Sequence, residues 1–182
     1  MQKFSEDLFR ALKKIRLLAL GVDGVLSDGG MHFSGHGELY KRFNIQDGLG
    51  LVLMPSLGIT VMIITGRASD IVARRMEDLK ITHVHQGVKH KAQKLREEAG
   101  RLGFDLSEVL YMGDDLPDLG VMALSGLSVA PANAHESVRK AATWVTEASG
   151  GHGAVREVCD ALAHAKDQYD SWIQRFTEQD GL

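Results

Sequence analysis

The sequence predicts an α/β, Rossmann-like fold: a parallel sheet covered by helices on both faces. Three observations predict it. Short segments apolar on both faces recur at 15–20, 60–64, 82–85, 109–112 and 127–129, as strands buried from both sides do. Helical stretches separate most of them, and strand–helix alternation is the pattern of a parallel sheet. Polar residues able to do chemistry cluster just after these segments, and in such sheets ligands sit beyond the carboxyl ends of the strands.

Taken in order, residues 4–14 form an amphipathic helix with Phe4, Leu8, Ala11 and Leu12 on one stripe. The strand 15–20 follows. Residues 30–43 read as a β-hairpin turned at Ser34-Gly35-His36-Gly37, too short to serve as a cap domain over a large ligand. Helix 48–57 contains Pro55, which removes a hydrogen bond, so the helix is expected to kink or begin again there. Strand 60–64 leads to helix 69–80, strand 82–85 to helix 89–102, and strand 109–112 to helix 116–125. A C-terminal helix is expected over 154–176, where Val155, Val158, Leu162, Ala165, Tyr169, Trp172 and Phe176 make a long apolar seam. That seam suits either the chain's own N-terminal helix or a second subunit. The whole chain, 1–182, is expected to form one domain.

Composition removes several classes. With 44% hydrophobic and 25% charged residues, the chain can build a sizeable core. A net charge of −3 gives no overall attraction to nucleic acid or to an anionic membrane, and neither is expected as a partner. No run approaches the roughly 20 apolar residues of a membrane span. Cys159 is the single cysteine, so no internal disulfide framework exists and a reducing cytoplasm is the expected location. Inside the C-terminal helix it reads as a packed thiol.

The candidate chemistry lies in a constellation. Asp23 and Asp28 follow the first strand, Thr65-Gly66-Arg67 the second, and Lys91 opens the helix after the third. Gly113-Asp114-Asp115-Leu116-Pro117-Asp118 follows the fourth. Each part has a plain structural reading: Asp-Gly as a turn, Thr-Gly-Arg as a strand-to-helix turn, Lys91 as a surface helix residue. Adjacent carboxylates are harder to explain that way, because they repel; a third at Asp118 points to a cation. Carboxylates hold Mg²⁺ through oxygen, while hydroxyl and ammonium groups hold phosphate oxygens, the requirements of phosphoryl transfer. His83 and His85 share a strand face, but two ligands do not make a zinc site. Gly48 and Gly50 lack the strand and third glycine of a dinucleotide fingerprint.

In this pattern the chain resembles the haloacid dehalogenase superfamily, and within it the capless 3-deoxy-D-manno-octulosonate 8-phosphate phosphatases. The marks are Val22-Asp23-Gly24-Val25-Leu26-Ser27-Asp28-Gly29, Phe43-Asn44-Ile45-Gln46-Asp47-Gly48, Ile63-Ile64-Thr65-Gly66-Arg67, Gln86-Gly87 before Lys91, the Gly113–Asp118 run, and Gly150-Gly151-His152-Gly153-Ala154-Val155-Arg156-Glu157. The resemblance covers roughly residues 12–175 and implies Mg²⁺-dependent hydrolysis of a phosphorylated sugar acid on the way to lipopolysaccharide. It makes Asp23 the general acid, whose main-chain carbonyl also binds Mg²⁺. Asp114 becomes the direct metal ligand and Asp115 its support; Thr65 and Lys91 become phosphate anchors. Gly66, Arg67 and His152 fall at substrate-binding positions, with His152 where an arginine is more usual. A homotetramer is implied, its hairpins meeting centrally and its segment 150–153 lying over a neighbour's site.

Gly21 departs from the family pattern, which places the nucleophilic, metal-binding aspartate there. Glycine has no oxygen to attack with, and losing such a nucleophile costs on the order of a millionfold in rate, about 8 kcal/mol. Three readings stay open: a relative that keeps the site for binding, a chain whose natural sequence differs at this position, or direct attack by water in the space left. A non-catalytic scaffold is the rival from another class. A response-regulator-like receiver fits poorly, since its phosphate acceptor is also an aspartate at a strand end.

Overall fold

The computed structural model describes residues 5–178. In chain order it runs α1 (Glu6–Lys14), β1 (Leu17–Leu20), β2 (His32–Ser34), β3 (Gly37–Tyr40), α2 (Ile45–Leu53), β4 (Thr60–Ile64), α3 (Asp70–Asp78), β5 (His83–His85), α4 (Lys91–Leu102), β6 (Val109–Met112), α5 (Leu119–Met122), β7 (Leu127–Ala130), α6 (Glu136–Ala141), β8 (Trp144–Val145), α7 (Ala154–Ala165) and α8 (Tyr169–Glu178). Six strands form one sheet in the order β5-β4-β1-β6-β7-β8, and every pairing in it is parallel. β2 and β3 form a separate antiparallel hairpin.

Strand alternation divides the core in two. Leu18 and Leu20 of β1, with Ile63, Leu110 and Met112, face α7 residues such as Val155, Val158 and Leu162. Leu17 and Ala19, with Met62, Ile64, Val109 and Tyr111, face Leu95, Ala99, Val121 and Val138 on the other side. Successive side chains of a strand point to opposite faces, so a strand apolar throughout serves both layers. The sheet is therefore covered on both sides, as the sequence predicts.

The helix expected over 48–57 does restart near its proline: α2 ends at Leu53, and a 3₁₀ turn over Met54–Leu57 carries Pro55 at its start. The single helix expected over 154–176 is corrected. The chain leaves the helical path at Lys166–Gln168, where Asp167 takes a left-handed φ of 57°. Lys166 N–H and Gln168 N–H then close on the carbonyls of Leu162 and Ala163, a helix-terminating pattern that a periodicity of apolar residues does not reveal. α7 packs on α1 and α2 of its own chain, and Trp172 of α8 is buried, donating to Ser56 Oγ at 3.2 Å. α6 and β8 carry no sequence expectation; six and two residues are too short to show a period.

The hairpin is the exception to burial. Met31, Phe33, Leu39 and Tyr40 are all exposed on it, and a two-stranded ribbon has little stability of its own.

Candidate active site

The loops after β1, β4, β5 and β6 enclose a cavity of about 370 Å³ at the carboxyl end of the sheet. Its wall includes Gly21, Asp23, Gly24, Thr65, Gly66, Arg67, Lys89, Lys91, Asp114, Asp115 and Asp118. A slightly larger hollow of about 460 Å³ lies at the opposite ends of β4 and β5, around Pro55, Ile59, Thr60 and Ile81. It holds none of the candidate groups.

After β1 the chain turns tightly, with Val22 C=O accepting from the N–H groups of Val25, Leu26 and Ser27. Gly24 has a φ of +76°, and a Cβ there would stand 2.0 Å from Asp114 Oδ2. Glycine is thus needed twice, for the turn and for the approach of the carboxylate. Gly21 differs. Its φ lies outside the left-handed region, and the atoms a Cβ would meet first are Val25 Cγ2 at 3.3 Å and Met112 O at 3.7 Å. The backbone at 21 therefore accepts a side chain.

Thr65 is buried at the end of β4, its N–H on His85 O at 3.0 Å. Lys91 begins α4 and donates from Nζ to Asp118 Oδ1 at 2.7 Å. Asp118 is fully engaged: Tyr111 Oη also donates to Oδ1, at 2.7 Å, while the Asp114 and Asp115 N–H groups reach Oδ2 at 3.2 and 3.3 Å. It braces the loop, and Asp114 and Asp115 line the cavity beside it. One Asp115 oxygen already accepts from Leu116 N–H at 2.8 Å.

Asp114 is half-buried beside Asp118. Burial, and then the neighbouring Asp118 charge, push its carboxyl up to about 7 against the opposing pull of Lys91. A half-buried carboxylate of this kind suits a divalent cation. Among the described residues, however, no three His, Cys, Asp or Glu side chains converge as a metal-holding group. The oxygens available are the carboxylates of Asp114 and Asp115 and the Asp23 main chain. Mg²⁺ is commonly held by one or two carboxylates while keeping several waters, so this set fits it.

Lys41 has no sequence signal, yet it stands at the centre of the best-defined electrostatic contact here. Its side chain is 1% exposed, with Nζ 2.6 Å from Asp23 Oδ1 and 2.8 Å from Glu38 Oε1. Burial pulls the Lys41 ammonium down, and hydrogen bonds to Asp23 and Glu38 more than offset that, leaving it raised. Glu38 is held below its usual range, first by Lys41 and then by the Ser69 hydroxyl, which donates to Oε2. The root of the hairpin is thereby tied to the turn after β1 and to the start of α3.

Within its own chain, the segment 150–153 packs beside the turn after β1. Cβ atoms on Gly150 and Gly151 would fall 1.7 Å from Gly24 O and 2.4 Å from Asp28 N, so this segment is pressed onto its own chain's turn. Gly151 N–H donates to Val25 O at 2.9 Å. His152 does not line the cavity; its Nδ1 lies 2.9 Å from Gly150 O and its Nε2 faces Arg42 Nη1. Gly153 and Arg156 N–H groups bond to the buried Asp47 carboxylate. The segment starts α7 and supports the turn from behind. Arg67 does reach the cavity, 3.9 Å from Asp23 Oδ2.

Comparison with known proteins agrees with this geometry. Residues 80–158 match a profile of haloacid dehalogenase-like hydrolases. Over 91% of its length the chain is 44% identical to the 3-deoxy-D-manno-octulosonate 8-phosphate phosphatase of Escherichia coli K12, covering 88% of that protein. A Moraxella catarrhalis phosphatase of the same description, solved with magnesium, phosphate and KDO, superposes with a TM-score of 0.92 at 39% identity, over 95% of this chain and 99% of that one. The cobalt-bound Haemophilus influenzae protein gives 0.89 at 34%, over 92% and 99%. Fold and site thus define a haloacid dehalogenase-like hydrolase. Within that class, the chain belongs to the family of 3-deoxy-D-manno-octulosonate 8-phosphate phosphatases.

Proposed function

We propose that this site binds a phosphorylated sugar acid with Mg²⁺, and that Gly21 holds its hydrolysis far below what the rest of the machinery supports. The observation that carries this reading is one cavity bringing Thr65, Lys91, Asp23, Asp114 and Asp115 to the ends of adjacent parallel strands. Thr65 Oγ1 and Lys91 Nζ hold phosphate oxygens. Asp114, Asp115 and the Asp23 carbonyl would hold Mg²⁺, which would supply charge to offset the phosphoryl group. Asp23, oriented by Lys41, is placed to protonate the leaving sugar oxygen. What is missing is an attacking oxygen: Gly21 offers none, so no phosphoenzyme forms. The metal in the Moraxella catarrhalis and Haemophilus influenzae structures supports the cation assignment.

The exposed hairpin residues Phe33, Leu39 and Tyr40 support its use as a contact between copies in a homotetramer. Gly21 lies at the cavity and not on the hairpin, so assembly is expected to be unaffected; a monomer on sizing would refute this. A cytoplasmic location accords with the lone, buried Cys159 thiol, raised by burial, and among the described residues no helix is long and apolar enough to cross a membrane.

Thermal denaturation with Mg²⁺, and with Mg²⁺ plus inorganic phosphate, tests the binding. Each addition is expected to raise Tm, by about 2.7 kcal/mol of stabilisation at a hundredfold excess over Kd. No shift with either would overturn the reading.

A further inference from the structure

The cations around the cavity fall into two groups. Lys91 at the floor is already matched, 2.7 Å from Asp118, and Lys41, behind Asp23 and outside the lining, lies 2.6 Å from it. The rim carries Arg67 and Lys89. Arg67 makes a long ion pair of 3.9 Å to Asp23 and lies 5.9 Å from the centroid of the Phe33 ring. Lys89 is exposed, lines the cavity, and among the described residues has no carboxylate within ion-pair distance.

This rim is built by the backbone. Gly87 N–H donates to Arg67 O at 3.3 Å and Val88 N–H to Thr65 O at 3.0 Å, which joins the loop after β4 to the loop after β5. Gly87 has a φ of +68°, the left-handed turn that swings residues 88 and 89 over the cavity. Arg67 and Lys89 are thereby set on one wall, each two residues from a phosphate anchor in sequence, Thr65 and Lys91. A phosphorylated sugar acid carries two anions separated by its carbon chain. With phosphate at Thr65 and Lys91, its carboxylate has a cationic wall to meet further out.

We propose that Lys89 is a specificity-determining residue, recognising the carboxylate of the sugar acid at the rim while leaving the phosphate to the floor. This rests on the binding reading above. An ammonium on a flexible stem acts as a point charge of adjustable reach, which suits a rim contact to a carboxylate. Its contribution is that of a solvent-exposed ion pair, so the effect is modest and selective.

The test is isothermal titration of the full chain in Mg²⁺ with two probes, inorganic phosphate and 3-deoxy-D-manno-octulosonate 8-phosphate. Lys89→Gln is expected to weaken the sugar acid phosphate about fivefold and to leave inorganic phosphate within about twofold. Lys89→Arg, which keeps the charge, is expected to recover most of the loss. An equal loss for both probes, or no loss for either, would overturn the assignment of Lys89 alone. Failure of the unsubstituted chain to bind either probe would instead overturn the binding reading, and this inference with it. Lys89 is exposed, so an unchanged melting temperature in each variant shows that the fold is intact.

Discussion

Replacing Lys41 with methionine tests whether the hairpin and the catalytic turn are one electrostatic unit. The substitution keeps an unbranched apolar stem and removes the ammonium that stands 2.6 Å from Asp23 and 2.8 Å from Glu38. Two carboxylates would then share a pocket with no cation between them. Breaking a buried pair by removing one partner costs about 3–5 kcal/mol, chiefly for the charge left behind. Asp23 and Glu38 keep 25% and 16% exposure, so the lower end, about 3 kcal/mol, applies. For a chain of this size that corresponds to a Tm lower by about 6–12 °C. Thermal and urea denaturation of the native chain, Lys41→Met and Lys41→Arg would measure it, with the arginine variant recovering part of the loss. A drop below about 2 °C for Lys41→Met would refute the reasoning. The contact would then be worth no more than a surface pair.

Two other perturbations follow from specific geometry. Gly24→Ala places a methyl where Asp114 Oδ2 now lies, at 2.0 Å, on a backbone with φ +76°; it should abolish the thermal shift given by Mg²⁺, and an undiminished shift would remove Asp114 from the metal site. Burial holds the His85 imidazole below its usual range against the pull of Glu98, so the unfolded chain takes up a proton that the fold resists. Stability is then lost as pH falls through the unfolded pKa of about 6.5, and His85→Gln should flatten the fall seen by urea denaturation between about pH 7.5 and 5.5; parallel slopes would discount His85.

The sheet was readable from sequence because its strands are buried on both faces, and nothing but a covered parallel strand explains Thr60–Ile64 or Val109–Met112 so simply. The floor of the site was equally readable: Asp23, Thr65, Lys91 and Asp114 do converge, because each sits at the end of a strand the pattern located. What the sequence hid depends on side chains meeting across distance. Lys41 sits beside Asp23 only because the hairpin folds back, and no local spacing records that. Asp118 looked like a third metal carboxylate, and only the positions of Tyr111 and Lys91 show it to be a brace. The break after α7 rests on one left-handed aspartate, Asp167, within an apolar seam that runs on regardless. The contact of His152 with Arg42 is equally hidden, because 110 residues separate the two in sequence.

The central claim is that the site is intact except for the group missing at Gly21. A Cβ at that position meets no backbone nearer than 3.7 Å, so an aspartate can be introduced with only a small shift of Val25. The direct measurement is phosphate release from 3-deoxy-D-manno-octulosonate 8-phosphate in Mg²⁺, for the native chain beside Gly21→Asp. The account predicts turnover by the variant and a native rate lower by on the order of a millionfold, about 8 kcal/mol. A native rate within about tenfold of the variant's would contradict it.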